Sequence, residues 1–364
     1  MGRRHGHDRR QALRLGAGAL LGAGAGAVMR PGAGGAVAIA ADSAVAVTER
    51  ARAFLALLPD GQARKALLPF DDDGRRDWHY TPRRRPGVTL EEMPATARTA
   101  LWDLLGTVLS ATGLERTRDV IRTEAALAAI TGNVSFRNPE NYALVVFGAP
   151  QQRMPWGWRF EGHHLSLNVT LVPGDRTTGD PPAIAVTPAF FGANPATVPA
   201  GHSHAGLRAL GAEQDIAWDL AGSLTAAQRD MVLLQPRTFG DILTGPGRED
   251  SLKAPAGLAF DRLSETQQGL MLALVDSYLA AMRPEIAAAQ RAAMRDAGLA
   301  RLHFAWAGAL QPGRPHYFRL HGPTAVIEFD NSQNDANHVH SVWHRPGHDF
   351  GGDLLAGHYA GDRH

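Results

Sequence analysis

The spacing of hydrophobic residues divides the chain into helical and strand-like blocks. Between residues 42 and 132, apolar positions recur every three or four residues, most regularly over 47–58 and 114–130. This spacing predicts helices that each bury one face. The tetrad Thr-Leu-Glu-Glu at residues 89–92 fits a capping box and predicts a further helix that runs to Leu109.

Strand patterns follow this first helical block. Residues 142–147 form a continuous apolar run, 158–172 alternate between apolar and polar, and 184–191 form a third candidate strand. Capping-box patterns at residues 225–228 and 264–267 then predict a second helical block. The last third of the chain again predicts strands, at residues 302–309, 316–320, 324–330 and 337–343.

The connections between these elements indicate the fold class. Few helices separate the strands, and short turns join several of them. Parallel strands need long crossover connections, whereas antiparallel strands need only hairpins. The sequence therefore predicts an α+β fold, with a mainly antiparallel sheet flanked by helical blocks. No internal repeat and no clear linker divides residues 41–364, which we expect to form a single domain.

Residues 1–40 have the composition of an export signal. Basic residues come first, an uncharged run rich in Gly, Ala and Leu spans 15–29, and the triplet 38–40 is Ala-Ile-Ala. This is the three-part plan of a cleavable signal peptide. The arginine pair at 9–10, with a leucine at 13, resembles the twin-arginine type of signal. The alternative is an ordinary secretory signal or an uncleaved anchor.

Such a signal indicates where the protein acts and which partners it meets. We expect the twin-arginine export machinery as a partner, an extracellular or periplasmic location, and no stable membrane span after cleavage. The whole chain has 37 basic and 36 acidic residues, and residues 1–40 hold six of the former and one of the latter. The remainder therefore has a net charge of −4, which does not favour a nucleic-acid surface.

Histidine is the most informative residue type. The chain has no cysteine, which excludes thiolate metal sites and a cysteine nucleophile. Of its 16 histidines, 14 lie after residue 40, and nine of these lie from His303 onwards. Because neutral imidazole is a common ligand of borderline metals, we expect a divalent metal ion, zinc or iron, as cofactor.

His338 and His340 are the strongest candidate ligands. Alternate residues of a strand face the same side, which places these two about 7 Å apart along the strand. Two histidines at this spacing are typical of zinc sites built on sheets. The alternative is a histidine pair without a metal, since His202 and His204 repeat the spacing in a predicted loop.

Two carboxylates and a second histidine pair could complete the site. Glu328 and Asp330 share one face of a predicted strand, where they could act as general base, bind the ion, or form a solvated face. His163 and His164 are neighbours on another predicted strand and would face opposite sides. Only one of them could then bind the ion, and a bulge at Gly162 would change which one.

His358 is a further candidate ligand near the end of the chain. It lies at the far end of a predicted short helix, residues 353–359, whose first residue, Asp353, could cap it. A cation is also favoured at a helix C-terminus, so His358 has a structural interpretation as well.

A set of segments carries a resemblance to a known family. They lie at residues 158–168, 191–195, 206–208, 304–308, 327–331, 333–343 and 349–353, with His358 after them. Together they resemble the bacterial family called domain of unknown function 3500, from about residue 50 to 360. The most specific is residues 333–343, and one departure is His344-Arg345, where the family more usually has an arginine and an acidic residue. The resemblance implies no activity, although many members look exported.

The leading hypothesis is an exported metal-dependent enzyme of hydrolase or lyase type, acting on a small-molecule substrate. Its ion would be held by His338, His340 and one of His163, His164 and His358, with Glu328 or Asp330 as base or additional ligand. The ion would activate water or polarise a substrate oxygen. The alternatives are a non-haem-iron oxidoreductase, an exported protein that binds a metal or small ligand without turnover, and a structural protein whose histidines fill polar core positions.

Overall fold

The structure, a computed structural model, describes residues 37–174 and 179–361. By its contacts the chain divides into Met1–Ala33 and Gly34–His364, and every described residue lies in the second unit. The predicted signal peptide, residues 1–40, lies outside the described residues except for its last four.

The described residues form nine α-helices and fourteen β-strands. The helices are α1 Ala41–Ala56, α2 Asp60–Ala66, α3 Ala95–Leu105, α4 Ala111–Thr131, α5 Gly211–Ser223, α6 Ala226–Val232, α7 Glu265–Leu279, α8 Pro284–Asp296 and α9 Gly352–Gly361. The strands are β1 Val37–Ala38, β2 Leu67–Leu68, β3 Val88–Thr89, β4 Ala143–Phe147, β5 Trp156–Gly162, β6 Leu165–Val172, β7 Ala183–Ala185, β8 Ala189–Ala193, β9 Leu233–Gln235, β10 Leu258–Ala259, β11 His303–Gly308, β12 His316–Gly322, β13 Ala325–Gln333 and β14 His338–His344. None of these helices combines the length and the apolar character that crossing a bilayer requires.

All the described strands join one sheet. Its main path runs β10-β11-β12-β13-β14-β8-β6-β5-β4-β2, and β1, β3, β7 and β9 pair beside that path. Neighbouring strands are antiparallel except for two pairs, β2 with β4 and β9 with β11. The predicted α+β fold with a mainly antiparallel sheet is therefore confirmed.

The two faces of the sheet are packed differently. One face carries large apolar side chains such as Phe160, Phe329 and Trp343, which share a core with the helices. The opposite face is also buried, but it is mixed: a small apolar cluster around Trp78 and Phe190 lies among buried polar and charged residues. Burying a polar group costs free energy unless it finds a partner, so this second face is where specific polar contacts are concentrated.

Local capping signals predict two of the helix starts and misplace a third. Thr225 and Ser264 each begin a helix with both hydrogen bonds of a capping box, as predicted. At Thr89 the same bonds form with Glu92, but they close a turn after β3, and α3 begins only at Ala95. The predicted helix start there is wrong because the capping box is a local motif that a turn also satisfies.

The alternating segment 158–172 is two strands rather than one. β5 and β6 form an antiparallel hairpin in which Gly162 pairs with Leu165, so only His163 and His164 connect the strands. His164 has a positive φ of 61°, a backbone conformation that few residues other than glycine adopt. The prediction that the two histidines occupy opposite faces of a strand is therefore wrong, because both lie in the turn.

Candidate metal centre

The mixed face of the sheet carries His338 and His340 on β14. Their imidazoles lie on the same side of the strand, with ring centroids 4.6 Å apart. On one side of β14, His340 pairs with Asp330 of β13, and on the other side it pairs with Gly192 of β8. The alternation of the strand thus brings the two imidazoles together, as their spacing predicted.

The hairpin turn between β5 and β6 brings a third imidazole to this pair. The backbone N–H of His164 donates to the carbonyl of Tyr80 at 2.9 Å, and the carbonyl of His164 accepts from the N–H of Gly192 at 2.7 Å. These two bonds hold the strained backbone of His164 in place. Side chains inside a strand stand roughly perpendicular to the sheet, whereas a residue in the turn is not bound to that direction.

A glycine on β8 makes space for the ring of His164. A Cβ atom added at Gly192 would lie 3.0 Å from Cδ2 of His164 and 2.8 Å from the carbonyl oxygen of Val339. Only a residue without a side chain fits between the turn and β14 at this position. The approach of His164 to β14 therefore depends on Gly192.

The three imidazoles converge on one small volume. Nε2 of His164 lies 2.9 Å from Nε2 of His338, and one ring nitrogen from each of the three histidines lies within 4.8 Å of the others. Nε2 of His340 is buried and has no hydrogen-bond partner among the described residues. Three ring nitrogens that face one another in this way are a donor set for a metal ion.

The surroundings keep the imidazoles of His164 and His338 neutral. Burial, together with the neighbouring histidines, lowers the pKa of His164 well below its usual value. Burial and the nearby His340 lower the pKa of His338 to about 3. The neutral ring is the form that binds a metal, because protonation occupies the ligand nitrogen.

A carboxylate that no sequence motif indicated orients His340. Nδ1 of His340 lies 2.7 Å from Oδ1 of Asp241, to which it donates, and the hydroxyl of Tyr80 donates to Oδ2 at 3.0 Å. Burial opposes ionisation of Asp241, but the hydrogen bond and the charge of His340 lower its pKa. With its proton held on Nδ1 by Asp241, His340 keeps Nε2 unprotonated as its ligand nitrogen.

Glu328 lies on the same face but is fully used by the scaffold. Its carboxylate is 0% exposed and accepts the N–H groups of Leu243 and Thr244 at 2.9 and 2.8 Å. It also accepts the hydroxyls of Thr244 and Tyr317. Glu328 therefore anchors the loop that follows Asp241, and the structure does not bring its carboxylate into the group of three histidines.

Asp330 lies closer to the centre. It is the strand partner of His340 and is 1% exposed. Ser332 donates to its carboxylate through both its N–H and its hydroxyl. Burial raises the pKa of Asp330 to about 6, and the charge of Asp241 acts in the same direction. A buried carboxyl with this pKa can exchange a proton near neutral pH.

His163 belongs to a second, overlapping group. Its Nδ1 lies 2.6 Å from a carboxylate oxygen of Glu124, and its ring packs 3.7 Å from that of His164. Glu124, His163 and His164 also satisfy the distances of a metal site. The guanidinium of Arg137, however, lies 3.0 Å from Nδ1 of His163, and a positive charge at this position opposes a bound cation.

His358 is not part of either group. It lies on α9, which packs near β6, and its ring lies 5.5 Å from that of Tyr359. Within residues 37–174 and 179–361, the two groups that satisfy metal-site distances contain His164, His338 and His340, or Glu124, His163 and His164. The C-terminal helix instead holds Asp353, which forms an ion pair with His348 at 2.9 Å.

Sequence reasoning missed four residues that surround the imidazoles: Tyr80, Glu124, Arg137 and Asp241. None of them lies within 25 positions of the centre's three histidines, and the nearest, Arg137, is 27 positions before His164. Each reaches the site from a loop or helix packed on the sheet, and no local pattern marks it.

Comparison with known proteins supports the family resemblance. A family model described as "Protein of unknown function (DUF3500)" matches residues 40–352. No curated protein and no solved structure matches the chain. The matched region contains all three histidines of the centre, together with Asp241 and Asp330.

Proposed function

Because the chain belongs to the DUF3500 family, whose description assigns no activity, we propose its function from the site alone. The protein is a metal-dependent enzyme of hydrolase or lyase type. Its divalent ion is held by His164, His338 and His340. The substrate is a small molecule, and the ion activates a water molecule or polarises a substrate oxygen.

One observation carries this proposal: three imidazoles from two distant parts of the chain bring one ring nitrogen each within 4.8 Å of the others, with His164 and His340 buried and His338 half-buried. Burying three imidazoles together is costly unless their nitrogens find partners. The hydrogen bond between His164 and His338 gives a partner to one nitrogen of each of these two rings. Nε2 of His340 still has no partner among the described residues. A metal ion would satisfy all three.

The donor set favours zinc-type chemistry over the non-haem-iron alternative. Catalytic zinc is often held by three protein ligands, three histidines among them, with a further position open to water. Non-haem-iron oxygenases typically use two histidines and one carboxylate. Glu124, His163 and His164 have that composition, but Arg137 opposes a cation there. The oxidoreductase therefore remains the second candidate.

Asp330 is the better candidate for a general base. It lies beside His340 and has a pKa of about 6, which suits proton transfer near neutral pH. Glu328 already accepts hydrogen bonds from two backbone N–H groups and two hydroxyls. We therefore assign Glu328 to the scaffold in this proposal.

The place of action is part of the same proposal. The twin-arginine-type signal at residues 1–40 supports export, and an exported enzyme would act in the periplasm or outside the cell. Cell fractionation tests this part. We expect the processed wild-type chain outside the cytoplasm, and we expect the chain to stay in the cytoplasm when Arg9 and Arg10 are replaced by lysine.

Metal analysis and a substrate screen test the proposed activity. The full chain is purified without a histidine tag, stripped with a chelator, and reloaded separately with Zn²⁺ and Fe²⁺. We expect about one ion per chain, and hydrolysis or elimination that depends on the ion. Asp330→Asn should lower turnover while the metal content stays the same.

The possible outcomes separate the alternatives. If no ion binds stoichiometrically, the metal enzyme proposal is wrong and the histidines are structural. An ion that binds without turnover in any assay favours the non-catalytic binding protein. Oxygen consumption with Fe²⁺ alone favours the oxidoreductase.

A further inference from the structure

We propose that Arg137 binds a carboxylate group of the substrate beside the three-histidine centre; this inference rests on the function proposed above. The substrate class is then a small carboxylic acid, anchored by the guanidinium while another of its atoms reaches the ion. This assigns a substrate-binding role to a residue that no sequence motif indicated.

Arg137 is one imidazole away from a proposed ligand. Its Nη1 lies 3.0 and 3.1 Å from the two ring nitrogens of His163. The ring of His163 in turn packs against that of His164, with centroids 3.7 Å apart. A group bound by the guanidinium would therefore lie at the edge of the metal centre.

The guanidinium has no carboxylate partner of its own. Among the described residues, no carboxylate oxygen forms an ion pair with Arg137, and its Nε and Nη2 make no hydrogen bonds and are not buried. By contrast, Arg85 pairs with Glu161 inside the protein, and Arg208 pairs with Asp215 on the surface. The charge of Arg137 and two of its nitrogens thus remain available for a ligand.

The loop that carries Arg137 is held in place. The backbone N–H of Arg137 donates to the carbonyl of Asn133 at 2.9 Å. The side chain of Asn138 donates to Glu91 at 3.1 Å and accepts from the N–H of Glu140 at 2.9 Å. A binding group on a fixed loop loses little conformational entropy when the ligand arrives.

A carboxylate fits these observations. Its two oxygens match two parallel N–H groups of a guanidinium, and charge assistance makes such pairs strong. The neighbouring residue Phe136 is 53% exposed, and the guanidinium carbon of Arg137 lies 5.0 Å from the centroid of its ring. This exposed ring beside the guanidinium suits an acid that also carries an apolar group.

Titration with benzoate tests the proposal, and benzamide serves as its uncharged isostere. Calorimetry is performed on the full-length wild type and on each variant described below. Each protein is measured both zinc-loaded and after chelation, and the metal content of each sample is determined. We expect benzoate to bind more tightly than benzamide. Arg137→Gln should weaken benzoate binding about 10- to 100-fold, because a hydrogen-bonded charge partner is lost.

Three controls keep the result interpretable. Arg153→Gln removes an exposed arginine without a contact to the centre and should leave benzoate binding unchanged. Arg137→Lys retains the charge but not the paired N–H groups and should restore part of the affinity. Imidazole, a ligand of the ion that carries no negative charge for Arg137 to attract, should bind Arg137→Gln and the wild type equally.

Several results would overturn the assignment. If benzoate binds no more tightly than benzamide, or if Arg137→Gln leaves benzoate binding intact, Arg137 is not the carboxylate site. The proposed metal function would still stand in either case. Failure of benzoate, acetate and succinate to bind excludes Arg137 as the carboxylate site as well. Inorganic phosphate binding more tightly than every carboxylate would contradict the substrate class. If the wild type holds no metal, the function proposed above fails separately.

Discussion

Two His-x-His pairs with the same spacing lie in very different surroundings. His338 and His340 lie on β14, with their rings packed against each other and against His164. His202 and His204 lie in a turn, where His204 is exposed and has a φ of 64°. Within residues 37–174 and 179–361, the imidazoles of this second pair have no hydrogen bond or ring contact.

The comparison shows that spacing alone does not make a site. The strand places its two histidines on one side, burial keeps at least one of them neutral, and the hairpin turn supplies a third ring. The turn at His202 has none of these three conditions. A His-x-His motif is therefore informative only where neighbouring strands can complete and desolvate it.

The largest expected difference between the two pairs is in metal binding. Replacing His338 and His340 by glutamine should reduce zinc affinity by about 100-fold or more, because two of three ligands are lost. The same double substitution at His202 and His204 should leave affinity unchanged. Competition with a fluorescent zinc chelator, on the full chain without a tag, measures both. Equal loss in the two variants would contradict the site.

The next largest effect should come from Asp330, because only the β14 pair has a buried carboxyl opposite it. Its folded pKa of about 6 exceeds the ordinary 3.8, so ionisation destabilises the fold. The penalty is absent below pH 3.8, grows as pH rises, and is complete above pH 6, where it amounts to about 3 kcal/mol.

Asp330→Asn should therefore stabilise the metal-free protein at pH 8 and have little effect at pH 4. Urea unfolding at both pH values measures the free energy of unfolding. As a control, replacing an exposed carboxylate whose pKa is not raised should change the free energy of unfolding by the same amount at pH 4 and at pH 8. A stabilisation that is equal at the two pH values would show that the charge of Asp330 is not the cause.

The smallest of the three effects should come from Asp241, which contacts only one imidazole of the pair. Asp241→Asn keeps an acceptor for Nδ1 of His340 but removes the charge, so zinc affinity should fall about 10- to 100-fold. Asp353→Asn is the matched control, since Asp353 pairs with His348 and neither residue belongs to a group that satisfies metal-site distances. If the two variants bind zinc equally, Asp241 does not tune the site.

The sequence predicted more of the strand pattern than of the site. The four strands of the last third and the pairing of His338 with His340 on one face follow from a period of two. The hairpin at His163 and His164 was hidden, because an alternating pattern continues on both sides of a two-residue turn. The role of Glu328 was hidden as well, because its partners Leu243 and Thr244 lie about 85 positions away in the chain.

By itself the sequence determined the family, the α+β class and the direction in which His338 and His340 point, since each depends on residues close together in the chain. Only the tertiary structure decided which residues join them. His164 lies 174 positions before His338 and meets it because β6 and β14 both pair with β8. Strand order is set by packing over the whole sheet, so contacts across it cannot be derived from local spacing.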